Sequence, residues 1–201
     1  MDLWEIERAL IADNYKYICG IDEAGRGPLA GPVFAAAVIL PFGENFPGLN
    51  DSKKLSEATR KRLYSEIIDK ALAYGIASAD HKEVDDLNIL KATFLAMKRA
   101  AEKLNINPDI ALIDGNRDPG LSIKSTCIIG GDGKSSSIAA ASILAKVSRD
   151  AYMTEMAAKF PQYGFEKHKG YGTKLHYERL REFGPSEIHR VTFLKQLKVE
   201  K

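Results

Sequence analysis

The sequence predicts an α/β domain with a mixed β-sheet flanked by helices. Two apolar runs, 18–21 and 33–40, lack a helical pattern and are typical of buried strands. Further apolar runs at 110–113 and 126–129 alternate with amphipathic helical patterns, and this interleaving is typical of α/β folds. The first two runs are joined by too few residues for a helical crossover, so we expect their strands to be antiparallel and the sheet to be mixed.

The other elements follow from spacing, capping residues and chain breakers. Ser56 is a good N-cap for one helix, and Asn107-Pro108 breaks another. Short and basic or aromatic patterns dominate the chain after Pro161, so we expect a main domain at 1–160 and a small helical extension at 161–201. The predicted helices are 2–12, 57–74, 88–104, 135–160, 174–182 and 191–197, with one more short strand at 76–79.

The composition indicates a water-exposed protein with a sizeable core. Hydrophobic residues make up 45% of the 201 positions and charged residues 28%, with a net charge of +2. This balance neither demands nor excludes nucleic acid, because a basic surface would have to be local. Both cysteines lie in apolar runs, as buried free thiols do in a reducing compartment. No apolar run approaches the ~20 residues that span a bilayer, and the N-terminus does not resemble a signal peptide. We expect a cytoplasmic protein.

Acidic residues follow three of the predicted strands. Asp22 and Glu23 come after the first strand, Asp114 after the run at 110–113, and Asp132 after the run at 126–129. Ligands bind at strand ends in α/β folds, and carboxylates brought together repel unless a cation lies between them. Oxygen-only ligands select hard ions such as Mg²⁺ or Mn²⁺. Two such ions can stabilise both the attacking and the leaving oxygen of a phosphoryl displacement.

Simpler roles are also compatible with these acids. Asp132 precedes a helix and could serve as its N-cap, while Asp114 stands in a sequence typical of turns. The adjacent Asp22 and Glu23 should point to opposite faces of a strand. They reach one site only if the strand ends or twists there, which the following Gly25 permits. From the residues alone these alternatives stay open.

Two segments partly match nucleotide-binding motifs, but neither has the features that the motif requires. Gly25-Arg26-Gly27-Pro28-Leu29-Ala30 fits G-x-G-x-x-A, but a strand follows it where the dinucleotide fold needs a helix. Gly133-Lys134-Ser135 lacks the first glycine of a P-loop, since position 128 is Ile128. A phosphate held by the helix start at 130–137 remains compatible with the sequence. The stretch 163–173 mixes cations, aromatic rings and glycines, a mixture that suits either nucleic acid or an ordinary solvated loop.

Several motifs in a fixed order are more specific than any one of them alone. They are Gly20-Ile21-Asp22-Glu23-Ala24-Gly25-Arg26-Gly27-Pro28, Asn50-Asp51-Ser52-Lys53-Lys54-Leu55, Leu112-Ile113-Asp114-Gly115-Asn116, Gly131-Asp132, Ala140-Ala141-Ser142-Ile143-Leu144-Ala145-Lys146-Val147-Ser148-Arg149-Asp150, Pro161-Gln162-Tyr163-Gly164 and His168-Lys169-Gly170-Tyr171. With these motifs the chain resembles bacterial ribonuclease HII, the type 2 ribonuclease H, over nearly its whole length. The related type HIII has an additional N-terminal domain and a different residue after the Gly-Arg-Gly turn.

The resemblance implies a ribonuclease H-like sheet with a C-terminal helical extension that completes the substrate groove. It implies cleavage of the RNA strand of RNA–DNA hybrids and of single ribonucleotides in duplex DNA, leaving 3′-hydroxyl and 5′-phosphate ends. Mg²⁺ or Mn²⁺ would be the cofactor. The residues carried over are the four metal-binding acids Asp22, Glu23, Asp114 and Asp132, the 2′-hydroxyl contacts Gly25, Arg26, Gly27 and Tyr171, and the phosphate contacts Lys53 and Ser135.

Partners and rival functions complete the expectations. We expect a monomer that binds RNA–DNA hybrids and ribonucleotide-containing duplex DNA, with no membrane contact and no obvious sliding-clamp motif. One rival is a non-catalytic nucleic-acid-binding module with vestigial carboxylates. A second is a metal-dependent DNA nuclease or phosphatase, which would not require the 2′-hydroxyl of its substrate.

Overall fold

The computed structural model describes residues 2–194, and a five-stranded sheet forms its centre. The strands are β1 (Ile18–Ala24), β2 (Val33–Ile39), β3 (Ala73–Ala79), β4 (Ile110–Asp114) and β5 (Ser125–Ile128). The helices are α1 (Glu5–Ala12), α2 (Glu57–Lys70), α3 (His81–Leu87), α4 (Ile89–Glu102), α5 (Ser136–Lys159), α6 (Phe165–His168) and α7 (Lys174–Phe183). Short 3-10 turns lie at Ser52–Lys54, Gly131–Gly133, Pro161–Tyr163 and Val191–Phe193.

The sheet is mixed, as predicted. Its strand order is β3-β2-β1-β4-β5. β1 pairs antiparallel with β2, and β2 pairs antiparallel with β3. β4 and β5 add on the other side in parallel to β1. The carboxyl ends of β1, β4 and β5 therefore meet at one edge, which is the arrangement that the acid hypothesis needs.

Helices cover both faces of the sheet. Successive strand residues point to opposite faces, so a continuous apolar run places apolar side chains on both. Ile21 belongs to the core cluster that includes Met97 of α4, on one face. Ala36 and Val38 belong to the cluster that includes Leu63 of α2 and Leu144 of α5, on the other face. The central strands are buried on both sides, which explains why their sequences read as continuous apolar runs.

Local predictions fail mainly at the boundaries of β3. The helix expected to reach Tyr74 ends at Lys70, because β3 begins at Ala73 and pairs with β2 along its whole length. The short helix α3 was not predicted, although Asp80 and Glu83 form a capping box at its start. The helix predicted at 191–197 is a 3-10 turn over Val191–Phe193, and positions 195–197 lie outside the described residues.

The segment after Pro161 packs on the second half of α5. Its core cluster includes Met153 of α5 and Phe165, and it also takes in Leu29 from the loop after β1. A β-bridge between Ala30 and His189 ties the two distant segments together. Among residues 2–194, no helix is both long enough and apolar enough to span a bilayer.

Candidate active site

Three acids lie at the shared carboxyl edge of β1, β4 and β5. The parallel register pairs Ile21 with Ile113, so Asp22 and Asp114 follow on neighbouring strands. The amide of Gly131 donates to Oδ1 of Asp114 at 2.6 Å, which holds the turn that carries Asp132 against β4. The structure thus brings Asp22, Asp114 and Asp132, which are up to 110 positions apart in the chain, to one edge of the sheet.

Glu23 approaches the same site from the opposite face of the sheet. Asp22 is 4% exposed and accepts a hydrogen bond from the amide of Glu23 at 2.7 Å. The side chain of Glu23 lines a cavity of about 370 Å³ together with Asp114 and residues of α4 such as Phe94. Successive strand residues do point to opposite faces here, as expected. Asp114 stands between them because β4 ends at that residue.

The acids repel one another, and the charge of Asp114 acts on each of the other three. Burial raises the pKa of Asp22 well above its ordinary value, and the charges of Glu23 and Asp114 raise it further. Burial also raises the pKa of Glu23, with Asp114 adding to the effect against the opposing charge of Arg26. The pKa of Asp132 is raised by burial, then by Asp114. Such a set of carboxylates is destabilising without a cation.

Two cationic side chains partly compensate this negative charge. Nη1 of Arg26 donates to Oε1 of Glu23 at 3.3 Å, and Nζ of Lys53 lies 3.6 Å from Oδ2 of Asp132. Burial tends to lower the pKa of Lys53, but the carboxylates, Asp132 foremost, raise it above its ordinary value. Lys53 therefore lies at the acid edge, where a phosphate contact was predicted. Asp51 is also there, and its charge helps to raise the pKa of Asp132.

The donor set fits a hard divalent cation, although its side chains are not closed around one point. Within residues 2–194, no three side chains of His, Cys, Asp or Glu stand close enough together to hold an ion as they are. Glu23 and Asp132 instead face Arg26 and Lys53. Four mutually repelling carboxylates with oxygen-only donors match the ligands that Mg²⁺ and Mn²⁺ prefer.

The Gly25-Arg26-Gly27 turn follows directly on β1. Gly25 has a φ of +98°, and a Cβ at this position would lie 2.0 Å from Nε of Arg149. Only glycine fits there. A Cβ on Gly27 would instead lie 3.8 Å from the ring of Tyr171, an ordinary contact. The structure thus brings the turn and Tyr171 together, although 144 positions separate Gly27 from the tyrosine.

Two buried arginines hold this turn, and no sequence pattern pointed to that role. Arg149 and Arg190 are both fully buried. Arg149 donates to the carbonyls of Ala30, Pro32 and Lys169 at 3.0–3.2 Å, and its guanidinium carbon lies 5.6 Å from the ring centre of Tyr171. The only sequence signal is the place of Arg149 in a motif; Arg190 had none.

Ser135 is placed differently from the prediction of a phosphate contact. The residue is fully buried and caps α5, where its hydroxyl accepts from the amide of Ile138. The hydroxyl of Ser135 also donates to Oε1 of Glu7 at 2.6 Å, and the same oxygen accepts from the amide of Ser137 at 3.0 Å. An internal carboxylate from α1 therefore fills the anion position at this helix start. The hydroxyl of Ser135 is not available to a phosphate in this structure.

A chain of neutral histidines supports Tyr171 from behind. The amide of Ser186 donates to Nδ1 of His189 at 2.8 Å. Nδ1 of His176 lies 2.9 Å from the carbonyl of Tyr171, so it must donate there and its Nε2 must accept. Nε2 of His189 is therefore protonated and donates to Nε2 of His176 at 3.0 Å. Burial lowers the pKa of both rings to about 4, so each stays neutral at pH 7.

Comparisons with known proteins agree on one family. A family model described as ribonuclease HII matches residues 19–196. The chain is 56% identical over 194 residues to ribonuclease HII of Caldicellulosiruptor bescii, covering 96% of this chain and 94% of that protein.

Solved structures are similar over nearly the same length. One is ribonuclease H2 of Pyrococcus horikoshii OT3, with a TM-score of 0.74, 28% identity and coverage of 92% of this chain and 97% of that one. Another is the RNase HII in the PCNA complex of Archaeoglobus fulgidus, with a TM-score of 0.71, 25% identity and coverage of 88% and 94%. These similarities agree with the sheet order and flanking helices described above.

Proposed function

Because the chain belongs to the ribonuclease HII family and is a ribonuclease H, we propose that it cuts the RNA strand of RNA–DNA hybrids and also nicks duplex DNA at single embedded ribonucleotides. The cut would leave 3′-hydroxyl and 5′-phosphate ends. The ribonuclease H-like fold expected from the sequence is that of its structural relatives. A cytoplasmic, monomeric enzyme is part of the proposal.

One observation carries the proposal: Asp114 stands among three other acids at the edge where β1, β4 and β5 end. Its charge acts on Asp22, Glu23 and Asp132 alike. Structural carboxylates are usually paired or hydrogen-bonded so that their pKa is lowered, whereas Asp22, Glu23 and Asp132 have raised pKa values despite their partners. Perturbed carboxylates in a cleft are typical of a catalytic site.

The four acids would hold the divalent cations on which this family depends. Two Mg²⁺ or Mn²⁺ ions bound there would supply Lewis-acid stabilisation of the attacking and the leaving oxygen of the phosphodiester. Through those ions, the chain's own acids would hold the scissile phosphate in a single orientation. Lys53, with a largely exposed side chain at the edge of the acids, would contact a phosphate as the substrate arrives.

The glycine turn would select the ribonucleotide. Its exposed residues Arg26 and Gly27 offer backbone amides next to the ring of Tyr171. The 2′-hydroxyl is the group that distinguishes RNA from DNA, and a donor or acceptor fixed at that position can read it. We propose that the extension at 161–201 completes the groove by supplying Tyr171. The Archaeoglobus relative was solved with PCNA, but this sequence offers no obvious clamp motif, and the proposal includes no clamp partner.

A nicking assay tests the proposal. The substrates are a duplex with one ribonucleotide and the same duplex with deoxyribose throughout, each in Mg²⁺ and in Mn²⁺. We expect metal-dependent nicking of the first duplex alone, and we expect Asp114→Asn to reduce it by about 10³-fold or more while binding to the hybrid persists. Near-wild-type turnover of that variant in saturating Mg²⁺ would overturn the metal assignment. Cleavage of the all-deoxyribose duplex would favour a general nuclease, and absence of any cleavage would favour a binding module.

A further inference from the structure

Arg190 lies beneath the glycine turn and binds four of its backbone carbonyls. The residue is fully buried and belongs to the segment after α7. The hydrogen bonds run from Nη2 to Gly25 at 2.7 Å, from Nη1 to Arg26 and to Pro28 at 2.9 Å each, and from Nε to Gly31 at 2.9 Å. One side chain thus fixes the turn from its first residue to its last.

The guanidinium of this arginine forms no direct ion pair within the described part of the chain. Among residues 2–194, no acidic oxygen lies within 4.0 Å of its guanidinium. Burial, and after it the neighbouring charge of Arg149, lowers its pKa to about 9, while the charge of Asp85 opposes this shift. A buried cation of this kind is costly, and an apolar side chain could fill the same space. What an apolar side chain cannot do is hold several carbonyls in one plane, which a guanidinium does.

The captured carbonyls determine where the amides of the turn point. In a trans peptide the C=O and the following N–H point in opposite directions, and the described residues contain no cis peptide. With the carbonyls of Gly25 and Arg26 directed at Arg190, the amides of Arg26 and Gly27 point away from it. Both residues are exposed, and no atom of residues 2–194 accepts a hydrogen bond from either amide. The amide of Leu29, by contrast, donates to Gly170 at 2.8 Å.

We propose that Arg190 is a positioning residue for ribonucleotide recognition, which fixes the Gly25–Gly27 backbone so that the free amides of Arg26 and Gly27 are oriented toward a substrate oxygen before it binds. The inference rests on the proposed function and deepens it. Arg190 does not touch the substrate; it removes the conformational freedom that the turn would otherwise lose on binding.

The test measures how strongly the enzyme senses the 2′-hydroxyl in binding alone. Two duplexes that differ only in one ribose 2′-hydroxyl are titrated with Asp114→Asn and with Asp114→Asn/Arg190→Lys in Mg²⁺. We expect the first protein to prefer the ribonucleotide duplex by about tenfold, the effect of roughly one hydrogen bond. We expect the preference to fall below about twofold in the second, because lysine keeps the charge but not the planar fork.

Tyr163→Phe in the same Asp114→Asn background is the matched control. It removes the 2.7 Å bond from Tyr163 to the carbonyl of Gly184, which lies in the same C-terminal segment and involves no residue of the turn. General loosening of that segment would lower the midpoint of thermal unfolding in both variants, but only Arg190→Lys should lower the 2′-hydroxyl preference. An unchanged preference in Arg190→Lys overturns the inference. Absence of any preference in Asp114→Asn alone overturns the proposed function instead.

A second measurement keeps the inference testable if Arg190→Lys does not fold. In the free wild-type protein, ¹⁵N relaxation should give the amides of Arg26 and Gly27 order parameters close to ~0.85, as in the strands. Values below ~0.6 at these two amides would mean that the turn is not held in advance, and the inference would be wrong.

Discussion

The sheet edge that carries the four acids and the turn held by Arg190 lie next to each other, yet their buried charges are compensated differently. Asp22 is buried among other carboxylates that raise its pKa. Arg190 is equally buried, but every hydrogen bond that its guanidinium donates goes to a backbone carbonyl at 2.7–2.9 Å. The first region keeps an electrostatic cost that a cation can relieve, and the second has internal partners for its charge. The difference separates the region that would perform chemistry from the region that would position the substrate.

The largest expected effect concerns the two glycines of the turn. Gly25→Ala should lower the free energy of unfolding by about 3 kcal/mol, since a Cβ would overlap Arg149 and the φ of +98° is strained for alanine. Gly27→Ala should lower it by less than about 1 kcal/mol, because its Cβ makes an ordinary contact. Urea unfolding measures both. Equal losses in the two variants would show that Arg149 does not constrain the turn.

The pH dependence of stability should have opposite signs in the two regions. The pKa values of His176 and His189 are lowered to about 4, so the unfolded chain, with a histidine pKa of 6.5, binds more protons and these rings lose stability as pH falls from 6.5 toward 4. The acids with raised pKa values gain stability as they are protonated. We expect a net loss of about 2 kcal/mol between pH 7 and 5.

His176→Gln distinguishes the contribution of the histidines to this pH dependence from that of the acids. Glutamine cannot be protonated in this range, so the net loss between pH 7 and 5 should fall by more than half in chemical denaturation, because the opposing contribution of the acids remains. A slope identical to that of the wild type would mean that the histidine chain is already charged in the folded protein.

Tyr171 tests the contact between the two regions and the substrate. Tyr171→Ala should lower kcat/KM on a duplex with one ribonucleotide by about 10- to 100-fold, the effect of losing one stacked ring. Tyr171→Phe keeps the ring and should stay within a few-fold of the wild type. Unchanged kinetics of the alanine variant on that substrate would remove the tyrosine from the site.

The smallest expected effect is the change in stability when the repulsion among the four acids is reduced. In metal-free buffer, Asp114→Asn should raise the free energy of unfolding by about 1 kcal/mol, because it removes the charge that acts on three other acids while Oδ1 can still accept from Gly131. Asp86→Asn removes the same charge from an exposed position of α3 and should be nearly neutral. If the two variants change stability equally, the acids do not repel as described.

The sequence predicted the parts of the molecule whose signals are local. The apolar runs ending in Asp22 and Asp114 have the composition of buried strands, and their short or long connections determine which pair is antiparallel. The positions of the four acids followed from these strand ends. What each acid does remains a prediction that the resemblance suggested and that the variants above test.

The positions that could not be predicted depend on contacts between distant segments. Glu7 reads as an ordinary helix residue, yet it binds the start of α5 some 130 positions later. Arg190 reads as one basic residue among many, yet it binds a turn at the other end of the chain. The resemblance implied a phosphate contact for Ser135, and local sequence patterns did not show that its hydroxyl donates to Glu7 of α1. Periodicity carries no information about such pairs.

The anchoring of the turn by Arg190 has a consequence for the nascent protein. The segment from Gly25 to Gly31 leaves the ribosome early, whereas its guanidinium anchor, Arg190, follows 159 positions after Gly31. Translation adds roughly 5–20 residues per second, so the turn exists for several seconds without its partner. The turn can therefore reach its final shape only once Arg190 has left the exit tunnel.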